Sequence, residues 1–253
     1  MAQTVHVHLR ELICKKEGNS WRKTEPYLWT IFFKIDGEHV NLSEKFKLSG
    51  EVPFHFSKGS HGNLEIDEIK GGQSVGIPIE MGVFQTTLTP IQVPFFNYEI
   101  PGILGVITVL MEKENVSSEG AEAGHKALNE FVQKAVTTAV HEFDVKNIDV
   151  ENIQESIRIY FAAEVEKFVE GIEEAVASAV VEAQNIFQNL WALLDRDDLI
   201  GYKIWDVNLD ELQESQGNYP LHVVWNAEKT GHWELIGEIK LEEAPASIDV
   251  QID

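Results

Sequence analysis

The chain has 253 residues, 43% of them hydrophobic and 25% charged, which is typical of a soluble globular protein with a substantial core. Its 42 acidic and 20 basic residues leave a formal charge of −22, which argues against nucleic-acid binding because phosphate recognition requires a basic surface. The single cysteine, Cys14, excludes an intrachain disulfide and a thiolate metal cluster.

The first residues lack the charged and apolar regions of a signal peptide. No run of eighteen apolar residues occurs, and the most apolar part, residues 172–194, is interrupted by acidic and amide side chains, so we expect no membrane span. We therefore expect a cytoplasmic protein, with release by an unconventional route as the alternative.

The prolines and the hydrophobic period divide the chain into a central helical part and two flanking strand-rich parts. All eight prolines lie between Pro26 and Pro101 or at Pro220 and Pro245, and proline is poorly tolerated inside helices. In the flanking parts, apolar residues alternate or form short β-branched runs between turn residues, and Asp36-Gly37 is typical of a hairpin turn. The predicted strands are residues 5–9, 27–35, 52–56, 75–79, 85–93, 103–111, 202–207, 221–225 and 233–241.

Between these parts, apolar residues recur at spacings of three and four, which predicts amphipathic helices. A first helix is expected to begin near Ser118 as its cap. Its apolar stripe comprises Leu128, Phe131, Val132, Ala135, Val136, Ala139, Val140 and Phe143.

A second and longer stripe covers residues 153–193 with a spacing close to that of a coiled coil. We expect a continuous helix over residues 151–194, with a break at Gly171 as the alternative. The stripe could pack within the protein or mediate self-association. The residues predicted for association are Phe161, Val165, Phe168, Ile172, Val176, Ala179, Ile186 and Leu190.

Four short segments, taken in their order, resemble a C2 domain, an eight-stranded antiparallel sandwich. They are residues 5–12 followed by Glu25-Pro26-Tyr27-Leu28, residues 105–110 followed by Glu112 and Glu114, residues 197–212, and Trp233-x-Leu235. The resemblance implies an α+β protein: a C2-like antiparallel β-sandwich carrying an inserted long helical hairpin or small helical bundle. The sandwich would comprise residues 1–116 plus 199–253, and the acidic insertion residues 117–198.

C2 domains often bind calcium through carboxylates of two loops, and calcium takes about six to eight oxygen ligands. This chain departs from the family pattern, because Glu25 stands where aspartate is usual and the first loop has no second aspartate. Solvated loop carboxylates are therefore the alternative. The residues that match the calcium ligands are Glu25, Glu112, Glu114, Asp195, Asp197 and Asp198.

The first loop contains a basic island in an otherwise acidic chain. Its residues are Lys15, Lys16, Trp21, Arg22 and Lys23. Basic side chains beside a tryptophan suit contact with anionic lipid headgroups. A solvated loop with Trp21 folded back on the sandwich is the alternative.

No enzyme signature occurs in the chain. His6 and His8 share one strand face without an acidic partner close in sequence, and His125 and His141 lie too far apart on the first helix to form one site. We expect every histidine to be a core or outward-facing side chain, and Cys14 to lack an activating histidine.

We therefore expect a non-enzymatic binding or assembly module. It would dock on a membrane surface or a protein partner, assisted by calcium if the carboxylates converge, and its helices would mediate association. The alternative is a pore-forming or toxin-like protein whose helical segment leaves the sandwich and inserts into a bilayer.

Overall fold

The computed structural model describes residues 1–18, 24–59, 61–113, 117–143, 198–227 and 230–242, together with the helical positions 170, 174 and 178. The strands are β1 Gln3–Lys16, β2 Pro26–Ile35, β3 Val40–Leu42, β4 Leu48–Gly50, β5 Phe54–Phe56, β6 Gln73–Gly76, β7 Val83–Leu88, β8 Ile91–Gln92, β9 Glu99–Ile100, β10 Ile103–Glu112, β11 Asp198–Asn208, β12 Asn218–Ala227 and β13 Gly231–Leu241. The helices with described ends are α1 Ile79–Gly82, α2 Ser118–Glu142 and α3 Leu209–Glu214.

Two antiparallel sheets form the body of the protein. The five-stranded sheet has the order β12-β13-β1. The other edge of β1 pairs with β7 along residues 3–8 and with β6 along residues 11–14. The four-stranded sheet has the order β11-β10-β2-β5. Strands from before and after the helical part therefore pair within both sheets. This agrees with the expected α+β class with antiparallel sheets, whereas the proposed domain boundaries stay a prediction.

The two sheets share one hydrophobic core. Leu28, Phe32 and Leu104 of the four-stranded sheet belong to the same buried cluster as Leu9 and Trp233 of the five-stranded sheet. All ten residues of β2 and all ten of β10 are buried, because these central strands are covered on both faces. Their sequences accordingly form nearly continuous apolar runs instead of alternating with polar residues.

Helix α2 covers the opposite face of the four-stranded sheet. Its Leu128 and Val132 are buried in one cluster with Trp29, Ile31 and Phe33, which alternate along β2 with the residues that face the other sheet. The predicted apolar stripe of this helix is confirmed. The structure therefore has three layers, with a second core between the sheet and the helix.

Helix α2 is capped one residue earlier than predicted. The Ser117 side chain accepts a hydrogen bond from the Gly120 amide at 3.2 Å, and Ser118 is the first helical residue. The cap satisfies one of the amides that have no partner within the helix.

Several local predictions were wrong. The turn after Asp36 does not join paired strands, because β2 pairs with β5 and β10 while β3 pairs with β4. The strand predicted over residues 75–79 ends at Gly76, and helix α1 begins at Ile79. The segment 85–93 is divided into β7 and β8, and only residues 54–56 of segment 52–56 form a strand.

The segment 197–212 also differs from the strand that the C2 resemblance implied. Strand β11 ends at Asn208, whose side chain caps α3 by accepting hydrogen bonds from the Asp210 and Glu211 amides. The Glu211 side chain in turn accepts from the Asn208 amide, which completes a capping box. Leu209 and Leu212 are therefore buried on a helix instead of a strand.

The predicted association stripe, Phe161 to Leu190, lies outside the described residues. The neighbouring positions Glu170, Glu174 and Ser178 are helical and exposed. Among the helices whose residues are described, none combines the length and the apolarity needed to cross a bilayer.

Candidate functional site

One end of the four-stranded sheet brings together two of the segments predicted to bind calcium. Glu112, the last residue of β10, pairs with Pro26 on one side and with Asp198 on the other. Glu25 forms an ion pair with Lys113, whose Nζ lies 2.5 Å from the Glu25 Oε2 atom. We call this the loop end of the protein, since the β1–β2 connection and the segments around the helical part meet there.

Glu112 and Glu25, the two predicted calcium ligands with described side chains, interact with different neighbours. Glu112 is only 3% exposed and lies near Cys14. Burial, together with the negative charges of Glu17 and Glu112, raises the pKa of the Cys14 thiol to about 11. Glu25 instead neutralises Lys113, the residue after Glu112, and successive residues of an extended chain point to opposite sides.

The structure describes the side chains of only two of the six residues predicted to bind calcium. Glu25 and Glu112 belong to no group of three metal-binding side chains among the described residues. Glu114, Asp195 and Asp197 lie outside the described residues, as does the side chain of Asp198. Calcium binding by these six residues stays a prediction.

The basic island begins at the same loop end. Lys15 forms an ion pair with Glu234 of the neighbouring strand, and Lys16 is exposed. Hydrogen bonds from Lys15 and His222 lower the pKa of Glu234. The charge of Lys15 is thus matched within the sheet. Trp21, Arg22 and Lys23 lie outside the described residues.

A buried ion network occupies the opposite end of β2, and the sequence analysis did not predict it. Lys34 is only 6% exposed. Its ammonium group donates hydrogen bonds to Asp36 Oδ2 at 3.1 Å, Glu38 Oε2 at 2.8 Å and the Thr87 carbonyl oxygen at 2.8 Å. The hydrogen bond and the charge of Lys34 lower the pKa of Glu38. The ammonium group therefore has a partner for each of its three hydrogens although the Lys34 side chain is buried.

The same network contains a group of side chains with metal-binding chemistry. Asp36, Glu38 and His39 each offer one ligand atom, and these atoms lie within 4.8 Å of one another. His39 Nδ1 is 3.0 Å from Asp36 Oδ1. However, the Lys34 ammonium already contacts both carboxylates and supplies the positive charge that a metal ion would bring. We therefore interpret the network as structural.

Asp36 also holds two hairpins at this end of the sheet. Its Oδ2 atom accepts a hydrogen bond from the Thr89 amide at 3.0 Å, and the Gly37 amide donates to the Thr89 carbonyl at 2.7 Å. The Asp36 carbonyl accepts from the Val40 amide at 2.8 Å. These bonds connect the start of the β3–β4 hairpin to the start of the β8–β9 hairpin.

His125 is the titratable residue in the buried stripe of α2. Its ring lies 5.3 Å from the Trp29 ring, measured between centroids, and only 4% of the residue is exposed. A Cβ atom at Gly59 would lie 2.3 Å from its Nδ1 atom, so only glycine fits there. His125 Nε2 has no hydrogen-bond partner, and burial lowers the pKa of the imidazole to about 4. The expectation of a core histidine is confirmed at this position.

Comparison with family models, with curated proteins and with solved structures finds no match to this chain. The C2 resemblance therefore rests on the sequence segments described above.

Proposed function

We propose that the chain is a non-enzymatic binding and assembly module that resembles a C2 domain and docks on a membrane surface or a protein partner. What supports the proposal is the meeting of the β1–β2 connection and the ends of β10 and β11 at one loop end. C2 domains use such an end for docking, according to the resemblance. Basic side chains of the first loop would contact anionic headgroups, and the loop carboxylates would bind calcium.

Co-sedimentation with phosphatidylcholine vesicles, with and without phosphatidylserine, tests this function. We expect the protein to sediment with anionic vesicles, and calcium to increase the bound fraction if the loop carboxylates converge. Replacing Lys16 by Glu, together with Trp21→Ala, should weaken binding, because each basic residue near an anionic surface contributes about 1 kcal/mol. Lys240→Glu, at an exposed position of β13, is the control. Unchanged partitioning in every lipid mixture and with every variant would contradict membrane docking.

A pore-forming function is the second candidate. In its favour, α2 forms a separate layer on the four-stranded sheet, and the described strands pair with one another without it. A helix of this kind could leave the sheet without breaking its hydrogen-bond ladder. Dye release from vesicles of several compositions tests this candidate, and retention of the dye in all of them would remove it.

A further inference from the structure

Two hairpins at the end opposite the loop end carry aromatic residues on their tips. The β3–β4 hairpin carries Phe46, and the β8–β9 hairpin carries Phe95 and Phe96. The Phe46 and Phe96 rings stack with their centroids 6.2 Å apart, and both pack partly on the core under α2. Phe95 is 73% exposed and is the one exposed phenylalanine among the described residues. We call Phe46, Phe95 and Phe96 the aromatic tip.

The backbone of the aromatic tip is strained at two of its phenylalanines. Phe46 has a φ of 56° and Phe95 a φ of 68°, which is the left-handed region that bulky residues rarely adopt. A glycine or asparagine would relieve this strain. Such conformations persist where the surroundings hold them, and they occur frequently at binding sites. Here the Asp36 network holds the bases of both hairpins together.

The shape and charge of the tip favour a lipid surface over a protein partner. A stable protein interface requires about 800 Å² on each side, with several anchors in one patch. The tip instead offers one protruding ring on a narrow hairpin. Lys45 and Lys47 are exposed beside Phe46, against one acidic residue, Glu44, in the same turn. These lysines flank Phe46, whose ring stacks on Phe96, the residue after Phe95. Basic side chains on the same tip as an exposed aromatic ring match anionic headgroups above an apolar interior.

We propose that the aromatic tip is a lipid-insertion site, in which Phe95 enters the interfacial region of an anionic phospholipid membrane while Lys45 and Lys47 contact the headgroups. The inference rests on the proposed function in taking a membrane as the docking surface. It goes further, because it adds a second membrane contact, at the end opposite the loop end, that does not depend on calcium.

A fluorophore attached through Phe95→Cys tests the proposal directly. Cys14 is buried and the pKa of its thiol is raised to about 11, so an environment-sensitive probe should label the introduced thiol selectively at pH 7.5. Ile79→Cys provides the matched control, since Ile79 is 75% exposed on α1, outside the two hairpins. With phosphatidylserine-containing vesicles and a calcium chelator, we expect the emission of the probe at position 95, and not at position 79, to shift to shorter wavelength.

Affinity measurements provide the second readout. Phe95→Ala should weaken vesicle binding by about tenfold to a hundredfold, because the ring no longer leaves water. Lys45→Gln and Lys47→Gln should each cost about fivefold on anionic vesicles. Ile79→Ala should bind as the unmodified protein does. All four positions are exposed or on a turn, so the variants should remain folded.

The outcomes separate this inference from the proposed function. If the protein sediments with vesicles while the probe at position 95 stays in water, the insertion of the aromatic tip is contradicted and membrane docking is not. Absence of sedimentation with every vesicle composition would overturn both. Equal shifts of the probes at positions 95 and 79 would also overturn the proposal, because they indicate non-specific adsorption.

Discussion

At the scale of single residues, the charge of Lys34 matters for stability because Asp36, one of its two carboxylate partners, is buried with it. Lys34→Met would leave Asp36, which has no exposed surface, without its cation. Removal of one partner from a buried ion pair costs about 3–5 kcal/mol of the free energy of unfolding. Urea unfolding measures this loss, and Lys240→Met, which breaks an exposed pair, should change the stability by less than about 1 kcal/mol. Similar losses in both variants would contradict the structural role of the network.

His125 makes the stability of the protein sensitive to pH. Burial lowers its pKa from 6.5 to about 4, so between these values the unfolded chain binds a proton that the folded chain excludes. The free energy of unfolding therefore falls as the pH decreases through this window, by about 2 kcal/mol between pH 7 and pH 5. Burial is the cause of this lowered pKa.

The pH effect can be assigned to His125 by substitution. His125→Phe should remove this part of the pH dependence in urea unfolding, whatever its effect at pH 7. His141→Phe is the control, because His141 lies on the exposed side of the same helix. An ordinary imidazole pKa in an NMR titration of His125, or an unchanged pH slope in His125→Phe, would show that another group is responsible.

At the scale of elements, α2 packs its buried apolar stripe against the four-stranded sheet and covers that face of the sheet. Leu128 is 1% exposed in the core between them, whereas Lys134 lies on the exposed side. Leu128→Ala should lower the free energy of unfolding by about 2–5 kcal/mol, since it leaves a cavity. Lys134→Ala should change it by less than about 0.5 kcal/mol. Thermal unfolding of both variants measures the difference, and equal midpoints would mean that α2 is not firmly packed.

At the scale of the whole molecule, the two ends of α2 determine how the helical part can be shortened. The helix has 25 residues, which corresponds to about 38 Å. Near its C-terminus, His141 lies 3.2 Å from the Gly50 carbonyl oxygen, whereas Asp198 pairs with Glu112 at the loop end, so Phe143 and Asp198 lie at opposite ends of the sheet. A replacement of residues 144–197 therefore needs a flexible linker of about 20 residues or more. We expect this deletion variant to keep the circular dichroism of a folded protein.

The same deletion variant tests the association proposed for the long stripe. If residues 161–190 mediate self-association, light scattering should show an oligomer for the full chain and a monomer for the variant. If the full chain and the deletion variant are both monomers, the stripe packs only within the chain. A variant that also lacks α2 is a poorer test, because it would uncover the apolar face formed by Trp29, Ile31 and Phe33.

Local patterns in the sequence were sufficient for the type of most elements. The alternation of Val5, Val7 and Leu9 and the spacing from Leu128 to Val140 predict a strand and a helix, and the structure contains both. The two-sided burial of β2 is consistent with its continuous apolar run. Periodicity succeeds here because it depends on which face of one element is buried, and that information lies within the element itself.

The pairing of strands and the functional surfaces were decided only by the tertiary structure. Nothing near Asp36 in the sequence indicates that β3 turns away from β2, that Lys34 meets the Thr87 carbonyl, or that Phe46 meets Phe96. The two members of the last pair are fifty residues apart. Such contacts depend on the register and packing of distant strands, for which a single chain carries no local signal. The sequence by itself therefore determined a strand-rich body with an amphipathic helical part. The fold decided which charges are buried together and which aromatic ring is left in solvent.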